Sequence, residues 1–140
     1  AWAEDRNVRF ELVGEDITVQ GDRLMLRRAF SNLLSNALLH TASGEAVTVT
    51  CTKNPNGVQI DVENPGPEIS AEHRALIFER FYRIDPARRR SSEGGGLGLA
   101  IVKSIAQAHG GDVMVTSTGG KTRFTVTLPC GQSRTPASAP

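Results

Sequence analysis

Four glycines stand among the five residues from Gly94 to Gly98, and an apolar segment with helical spacing follows them directly. Glycine adopts backbone angles that are closed to other residues, and its missing side chain lets a ligand approach the main chain. The helix that follows begins with unpaired N–H groups and the positive end of a dipole, which together favour an anion. The run is therefore typical of a phosphate-binding loop, although glycine-rich turns and linkers share its composition.

The 140 residues are enough for one domain with a real core, which we expect at 1–130, followed by a disordered Pro/Ser/Ala-rich tail at 131–140. The 16 basic and 15 acidic residues give a net charge of +1, which argues against a nucleic-acid or acidic-lipid surface. No segment of the sequence is apolar enough for a membrane span. Cys51 and Cys130 have neither metal nor redox spacing, and Cys51 is expected to be a reduced core side chain.

Apolar periodicity predicts strands and helices along most of the chain. In chain order we expect strands at 8–12 and 17–20, a helix at 23–39, strands at 46–52 and 58–63, helices at 71–78 and 97–109, and strands at 112–117 and 122–128. Asp22 and Ser70 are suited to cap the first two helices, and Gly110 to end the third. The order favours an α/β (α+β) sandwich, in which a mixed, mostly antiparallel sheet is covered on one face by about three helices.

A polar stripe runs along the first predicted helix. Arg28, Asn32, Asn36 and His40 follow one another at four-residue steps and therefore share one face. Asparagine is unfavourable inside helices, so two of them on one face indicate a use beyond solvation. Their amide oxygens are hard ligands of the kind that Mg²⁺ accepts beside phosphate oxygens. A solvated helix face explains any single one of these residues equally well.

Three further segments each have a structural and a functional interpretation. The segment 64–66, Asn-Pro-Gly, makes a plain turn or brings the backbone close to a flat ligand. The aromatic segment 78–82 plugs a core edge or anchors a long loop at 83–96 that closes over a ligand as a lid. The run Arg88–Arg90 is a solvated loop or a source of phosphate contacts. The three histidines are dispersed, and the sequence shows neither a nucleophile triad nor metal-ligand spacing.

Five segments, in order and in spacing, resemble the motifs of the ATP-binding domain of two-component sensor histidine kinases. They are the asparagine segment 32–37, the first glycine segment 64–66, the phenylalanine segment 78–83, the second glycine segment 94–99 and the Gly/Thr segment 120–124. Together they cover nearly the whole chain. Three stretches are most similar to the copper- and silver-sensing branch of these kinases, namely 62–67, 80–86 and 102–105.

The resemblance implies the Bergerat fold, shared with gyrase, Hsp90 and MutL, with a long lid over ATP. It implies a catalytic domain that binds Mg·ATP and donates the γ-phosphate to a histidine on a separate dimerisation domain, for relay to a response regulator. The domain would be the cytoplasmic part of an inner-membrane bacterial sensor kinase, with no nucleic-acid or membrane contact of its own. No acceptor-histidine motif is found in the sequence, so we do not expect the isolated chain to phosphorylate itself.

The same resemblance implies roles for individual residues. Asn36 would ligate Mg²⁺ and, with Arg83, serve the phosphoryl transfer, while Asn32 would lie beside the phosphates. The remaining nucleotide-binding residues that it implies are His40, Asn64, Gly66, Ile69, Gly94, Gly95, Gly96, Leu97, Gly98, Leu99 and Thr122. Within that set, the glycines would wrap the phosphates with backbone N–H groups, and the threonine would lie near adenine.

The sequence departs from the family pattern at four positions. The aspartate that reads adenine in most relatives is Asn64 here, and the second glycine of that motif is Glu68. Leu39 and His40 stand where relatives carry a basic residue and a tyrosine. The asparagine amide can accept or donate a hydrogen bond, and it can turn so that its NH₂ group faces the carbonyl of guanine. A carboxylate would repel that carbonyl, so we expect weaker discrimination against GTP than in aspartate-bearing relatives.

Two other functions stay open on the sequence. A stand-alone relative would phosphorylate a protein serine, as anti-sigma factors do, and a degenerate relative would bind nucleotide without transferring phosphate. A histidine-bearing helical hairpin upstream would favour the histidine kinase over the serine kinase. A phosphotransfer assay with that hairpin would separate the kinase from the degenerate module.

Overall fold

The fold is built on one five-stranded sheet, seen in a computed structural model that describes residues 7–82 and 98–129. The strands are β1 (Arg9–Gly14), β2 (Ala46–Asn54), β3 (Gly57–Pro65), β4 (Asp112–Thr118) and β5 (Lys121–Pro129). They lie in the order β1-β2-β3-β5-β4, with β1 parallel to β2 and the other neighbours antiparallel. The predicted mixed, mostly antiparallel sheet is confirmed.

The described residues include three helices: α1 (Arg23–His40), α2 (Ala71–Leu76) and α3 (Gly98–Ala108). α1 packs on β3 and on α3, and α3 also contacts β4 and β5. The buried side chains of α1, of α3 and of the inner sheet face form one core, with Leu33, Val102, Val62 and Phe124 almost fully buried at its centre. α1 and α3 therefore cover one face of the sheet, as predicted for these two helices.

α1 follows the sequence prediction closely because its cap and its apolar stripe act together. The Met25 N–H donates to Asp22 Oδ1 at 3.1 Å, which satisfies one of the free donors of the first turn. The predicted stripe is buried at Ala29, Leu33, Ala37 and Leu38, and half-buried at Phe30 and Leu34. The helix ends at His40, where the buried Thr41 hydroxyl donates to the Ala37 carbonyl at 2.6 Å.

His109 ties the end of α3 to the beginning of α1. The Asp22 N–H donates to His109 Nε2 at 3.0 Å, and His109 Nδ1 lies 2.8 Å from the Ile105 carbonyl oxygen. Acceptance at Nε2 requires the tautomer that carries its proton on Nδ1, which then donates to Ile105. A β-carbon on Gly21 would lie 2.4 Å from His109 Cδ2, so this position needs glycine.

One predicted strand is absent, and one predicted helix is shorter than expected. Residues 17–20 form no strand: Ile17 and Val19 pack half-buried against the core from an irregular segment. Their alternation therefore reflects contact with the core rather than strand pairing. α2 ends at Leu76 instead of 78, because Ile77 and Phe78 turn inward. Ile77 is buried there, and the Phe78 ring meets the Phe124 ring edge-on with 5.9 Å between centroids.

The β4–β5 hairpin turns at Gly119 and Gly120, whose φ angles are +62° and +79°. Two consecutive positive φ angles favour glycine and match the twist of the flanking strands. The turn sets the register in which Ser117 lies opposite Thr122. The predicted hairpin is thus confirmed, and its register places Ser117 beside Thr122, one of the predicted site residues.

The outer face of the sheet is polar. Asp61 alternates with the buried Val62 and therefore points away from the helices. Its carboxylate accepts from the Thr125 hydroxyl at 2.6 Å. On the same face Arg123 donates twice to Glu63 Oε1, at 3.0 and 2.7 Å, and this carboxylate raises the pKa of Arg123.

Cys51 packs half-buried against the core as a free thiol, which agrees with its prediction as a reduced core side chain. Burial raises the pKa of this thiol, and the carboxylates of Asp16 and Asp61 raise it further. Cys130, the predicted tail at 131–140 and the predicted lid at 83–96 lie outside the described residues. The domain bounds 1–130 stay a prediction.

Candidate functional site

The end of β3 meets the end of α1 at Gly66. A β-carbon on Gly66 would lie 3.6 Å from Asn64 Nδ2 and equally 3.6 Å from the His40 carbonyl oxygen. The Gly66 N–H donates to the Gly120 carbonyl at 2.9 Å, which joins this corner to the β4–β5 turn. The structure thus brings together three predicted site residues, Asn64, Gly66 and His40.

Asn64 is the buried polar centre of this corner, with 3% of its surface exposed. Its Nδ2 donates to the Pro65 carbonyl oxygen at 2.9 Å. A flipped amide would place Oδ1 against that carbonyl oxygen, so the hydrogen bond fixes the orientation of the side chain. No donor within residues 7–82 and 98–129 reaches Asn64 Oδ1, which leaves this oxygen available to a ligand.

Thr122 lies beside Asn64 on the neighbouring strand, as its β3–β5 partner. Its hydroxyl oxygen is 3.2 Å from the Ser117 Oγ, and Ser117 Oγ accepts the Ile69 N–H at 2.7 Å. Ser117 and Thr122 are both buried. The predicted residues Thr122 and Ile69 are therefore linked through Ser117, which the sequence analysis missed. The hairpin register could have revealed it, because a two-residue turn places Ser117 opposite Thr122.

Asn32 joins the polar stripe of α1 to the first residue of α3. Its Nδ2 donates to the Gly98 carbonyl oxygen at 3.4 Å, the last glycine of the predicted phosphate loop. Asn36, one turn further along, is half-buried, and no described group hydrogen-bonds to its side chain. The Asn32 amide thus contacts the first residue of α3. Leu99 packs its side chain against the core.

Part of the predicted site cannot be placed. Arg83, Gly94, Gly95, Gly96 and Leu97 lie outside the described residues, as does the run Arg88–Arg90. Their roles stay predictions from the resemblance. Gly98 is described, and a β-carbon there would meet no atom of residues 7–82 or 99–129 within 4 Å.

The phenylalanine segment anchors at a core edge, as its structural interpretation predicts. Lys103 Nζ lies 5.3 Å from the centre of the Phe78 ring and 3.1 Å from Asp112 Oδ1. The Val113 N–H and then Lys103 hold the pKa of the Asp112 carboxyl below its ordinary value. At the other end of the segment, Tyr82 hydrogen-bonds to His73 Nδ1. Lys103, a second residue that sequence reasoning missed, fixes Phe78 from α3.

Carboxylates and histidines do not gather into a metal centre in the described part of the chain. A cation at this site would take amide and phosphate oxygens, which is the ligand set that Mg²⁺ accepts. An open cavity of about 570 Å³ lies beside the beginning of α1, and none of the predicted site residues that the structure describes lines it. Among the described helices, none has the length and apolarity needed to cross a membrane.

Comparison with known proteins gives one consistent result. Residues 21–132 match the family model described as histidine kinase-, DNA gyrase B-, and HSP90-like ATPase. The sensor histidine kinase CusS of Escherichia coli (strain K12) is 57% identical over 129 residues, which cover 92% of this chain and 27% of that protein. The probable sensor kinase SilS of Salmonella typhimurium is 49% identical over 116 residues, covering 83% of this chain and 23% of SilS.

Solved structures agree with the sequence comparison. The mycobacterial sensor histidine kinase MprB superimposes with a TM-score of 0.80 and 34% identity, covering 93% of this chain and 89% of that one. The chain therefore spans about a quarter of the length of CusS and SilS and matches almost all of the MprB structure. The similarity to CusS agrees with the branch that the sequence motifs predict.

Proposed function

Because this chain belongs to the family of histidine kinase-, DNA gyrase B- and HSP90-like ATPases, we propose that it binds Mg·ATP and presents the γ-phosphate to a histidine outside the chain. The proposal rests on one contact, the hydrogen bond that Asn32 donates to the Gly98 carbonyl. It joins the asparagine stripe of α1 to Gly98, the last residue of the glycine run, and these are the two features predicted to meet the phosphates. Phosphoryl transfer needs mainly positioning and charge neutralisation; this contact supports the positioning, and Mg²⁺ with Arg83 would supply the charge neutralisation.

The metal is proposed from the chemistry of Asn36. Mg²⁺ keeps several waters and shares oxygens with nucleotide phosphates, so one protein oxygen is enough. Asn36 lies one helical turn beyond Asn32, and its amide has no described hydrogen-bond partner. We assign its Oδ1 to the metal and the Asn32 amide to the phosphates. Backbone N–H groups from Gly94 to Gly98, together with Arg83, would hold the remaining phosphate charge.

The base is proposed to lie at the corner where β3 meets α1. Asn64 Oδ1 is the acceptor that an adenine amino group needs, because Nδ2 is already used by the Pro65 carbonyl. Gly66 leaves room beside it, and His40, Ile69 and Thr122 complete the lining. The fixed amide also changes the expectation for GTP. Turning Asn64 toward a guanine carbonyl would break the Pro65 hydrogen bond, so wild-type discrimination against GTP should be stronger than an unrestrained amide would give.

The whole protein is proposed as an inner-membrane sensor kinase with this domain on the cytoplasmic side. Its partners would be the dimerisation domain that bears the acceptor histidine and a response regulator. Copper or silver is proposed as the stimulus from the motifs shared with that branch. These proposals concern the remaining length of the protein, since the chain covers only about a quarter of its CusS relative.

Transfer of labelled phosphate from ATP to an acceptor-histidine helical domain tests the proposal. The isolated chain should label that domain when it is added in trans, and should not label itself. Asn36→Ala should abolish most of the transfer, whereas Ser35→Ala, on the exposed side of the same helix, should leave it unchanged. Binding of ATP without any transfer would favour a degenerate nucleotide-binding module. Transfer to serine instead of histidine would favour the serine kinase.

A further inference from the structure

The edge strand β1 leaves half of its backbone hydrogen-bonding groups unpaired within the described part of the chain. The Arg9 N–H donates to the Glu45 carbonyl, and the Glu15 N–H donates to the Cys51 carbonyl. A parallel ladder uses every second residue of a strand, so the odd-numbered residues of β1 bond β2. The N–H and C=O groups of the even-numbered residues therefore point away from β2, toward the open edge of the sheet.

β1 also exposes apolar side chains beside this open edge. Phe10 and Leu12 are the register partners of Val47 and Val49, so they lie on the inner face of the sheet. Val47 is fully buried in the core, whereas Phe10 is 44% and Leu12 81% exposed. β1 contains neither proline nor lysine, the residues with which natural edge strands discourage pairing. An open, partly apolar edge of this kind favours the addition of another strand.

We propose that β1 pairs antiparallel with β1 of a second copy of this chain, with Leu12 opposite Leu12 at a two-fold axis. An axis perpendicular to the sheet keeps the inner faces of both copies on the same side. Phe10 and Leu12 of the two copies would then form one apolar strip, and the open backbone groups would bond each other. This surface is separate from the proposed nucleotide site, and the inference does not depend on the proposed function.

Charge and overlap select between the registers that this pairing could adopt. Even-numbered residues must lie opposite even-numbered residues, because only their backbone groups face the edge. Phe10 opposite Leu12 would set the Glu11 carboxylates of the two copies against each other, and like charges directly opposite are destabilising. Leu12 opposite Leu12 instead sets Arg9 against Glu15 of the second copy, which is an opposite-charge pair. It also overlaps the two strands further than Phe10 opposite Phe10 does.

Cysteine cross-linking tests the pairing and its register. In a background of Cys51→Ala and Cys130→Ser, Leu12→Cys should form an intermolecular disulfide with oxidised glutathione, because directly opposite Cα atoms lie about 5.5 Å apart. Phe10→Cys should cross-link far more slowly, since residue 10 would lie opposite residue 14 of the second copy. Met114→Cys measures random collision, because Met114 is 53% exposed on β4, the opposite edge strand.

Sedimentation velocity of the intact chain measures the association itself. Pairing through one strand makes a small interface, so we expect a dissociation constant on the order of 100 µM. Leu12→Lys sets two ammonium groups opposite each other and should weaken the dimer roughly tenfold or more. Val13→Lys is the matched control, because Val13 is also exposed and would lie opposite Glu11 of the second copy. It should leave the dimer as stable as in the wild type or strengthen it. Thermal unfolding checks that both variants are folded.

The inference is wrong if the chain stays monomeric at about ten times that concentration. Residues 1–6 or a different protein would then be the better candidates to cover this edge. It is also wrong if Leu12→Lys and Val13→Lys weaken the dimer equally, because the contact would then not have this register. Cross-linking of Phe10→Cys or Met114→Cys as fast as that of Leu12→Cys would likewise overturn it.

Discussion

Replacing Asn64 by aspartate, the residue that the family resemblance implies for most relatives at this position, should destabilise the domain at neutral pH. The side chain is 3% exposed, and its Nδ2 donates to the Pro65 carbonyl at 2.9 Å. Asn64→Asp places an oxygen where that donor stood. The lost hydrogen bond costs about 1 kcal/mol. Burial and the facing carbonyl also raise the pKa of the introduced carboxyl, and each unit costs about 1.4 kcal/mol at pH 7.

The sign of the pH dependence follows from linkage. A carboxyl whose pKa is raised by folding binds its proton more tightly in the folded state, so stability falls as pH rises above the unfolded value of about 3.9. Below that pH the carboxyl is protonated in both states, and its O–H can donate to the Pro65 carbonyl. The hydrogen bond that the protonated carboxyl regains is part of this pKa rise, so with a rise of one pKa unit we expect a loss of about 1.4 kcal/mol at pH 7, most of it recovered near pH 4.

Urea unfolding of the wild type, Asn64→Asp and Asn64→Ala at pH 7 and near pH 4 measures these differences. Asn64→Ala loses the same hydrogen bond without adding a charge, so its difference from the wild type should not depend on pH. The difference for Asn64→Asp should be larger at pH 7 and shrink on acidification. An equal difference for Asn64→Asp at both pH values would refute the reasoning, because the carboxyl would then be solvated in the folded state.

Three other outcomes are expected. Asn36→Ala should weaken ATP binding measured by calorimetry far more with Mg²⁺ than without it, and equal losses would exclude a metal ligand. Asp112→Asn should cost below about 1 kcal/mol at pH 7, because Asp112 is half exposed. Its carboxyl pKa is lowered by the Val113 N–H and Lys103, so this contribution is present above the unfolded pKa and lost as pH falls through the folded one. Asn64→Asp should sharpen the preference for ATP over GTP in competition binding by less than about tenfold; an unchanged ratio would mean that Asn64 does not read the base.

Most of the fold could be predicted from the sequence because its local signals agree with the packing. Asp22 and Ser70 cap helices as their residue types suggest, since both side chains accept a backbone N–H of the first turn. The strand predicted at 17–20 is absent, because the alternation of apolar and polar residues there arises from contact with the core and not from pairing with another strand. It also failed at the end of α2, where burial of Phe78 outweighs helix continuation.

The site was predictable in its motifs but less so in its supporting contacts. Asn32, Asn64, Gly66 and Thr122 follow from motif resemblance, and the structure brings the last three to one corner. Ser117 could not be identified in that way, because its importance comes from a strand partner and from the Ile69 N–H, which is distant in sequence. No local pattern encodes the contact to Ile69, whereas the two-residue turn does encode the pairing of Ser117 with Thr122. Orientation of the Asn64 amide, by contrast, is set locally, by the carbonyl of the next residue, Pro65.

The Gly119–Gly120 turn has a consequence for how this hairpin can change by insertion or deletion. Side chains alternate between sheet faces, so a shift of one residue in the pairing exchanges the two faces. One residue added to this turn would move Thr116, now exposed, toward the inner face and carry Ser117 outward. The proposed base site would then lose the contact between Ser117 and Thr122, although every site residue would still be present in the sequence. The length of this turn, which contributes no side chain to the proposed site, would therefore be as important to that site as its own residues.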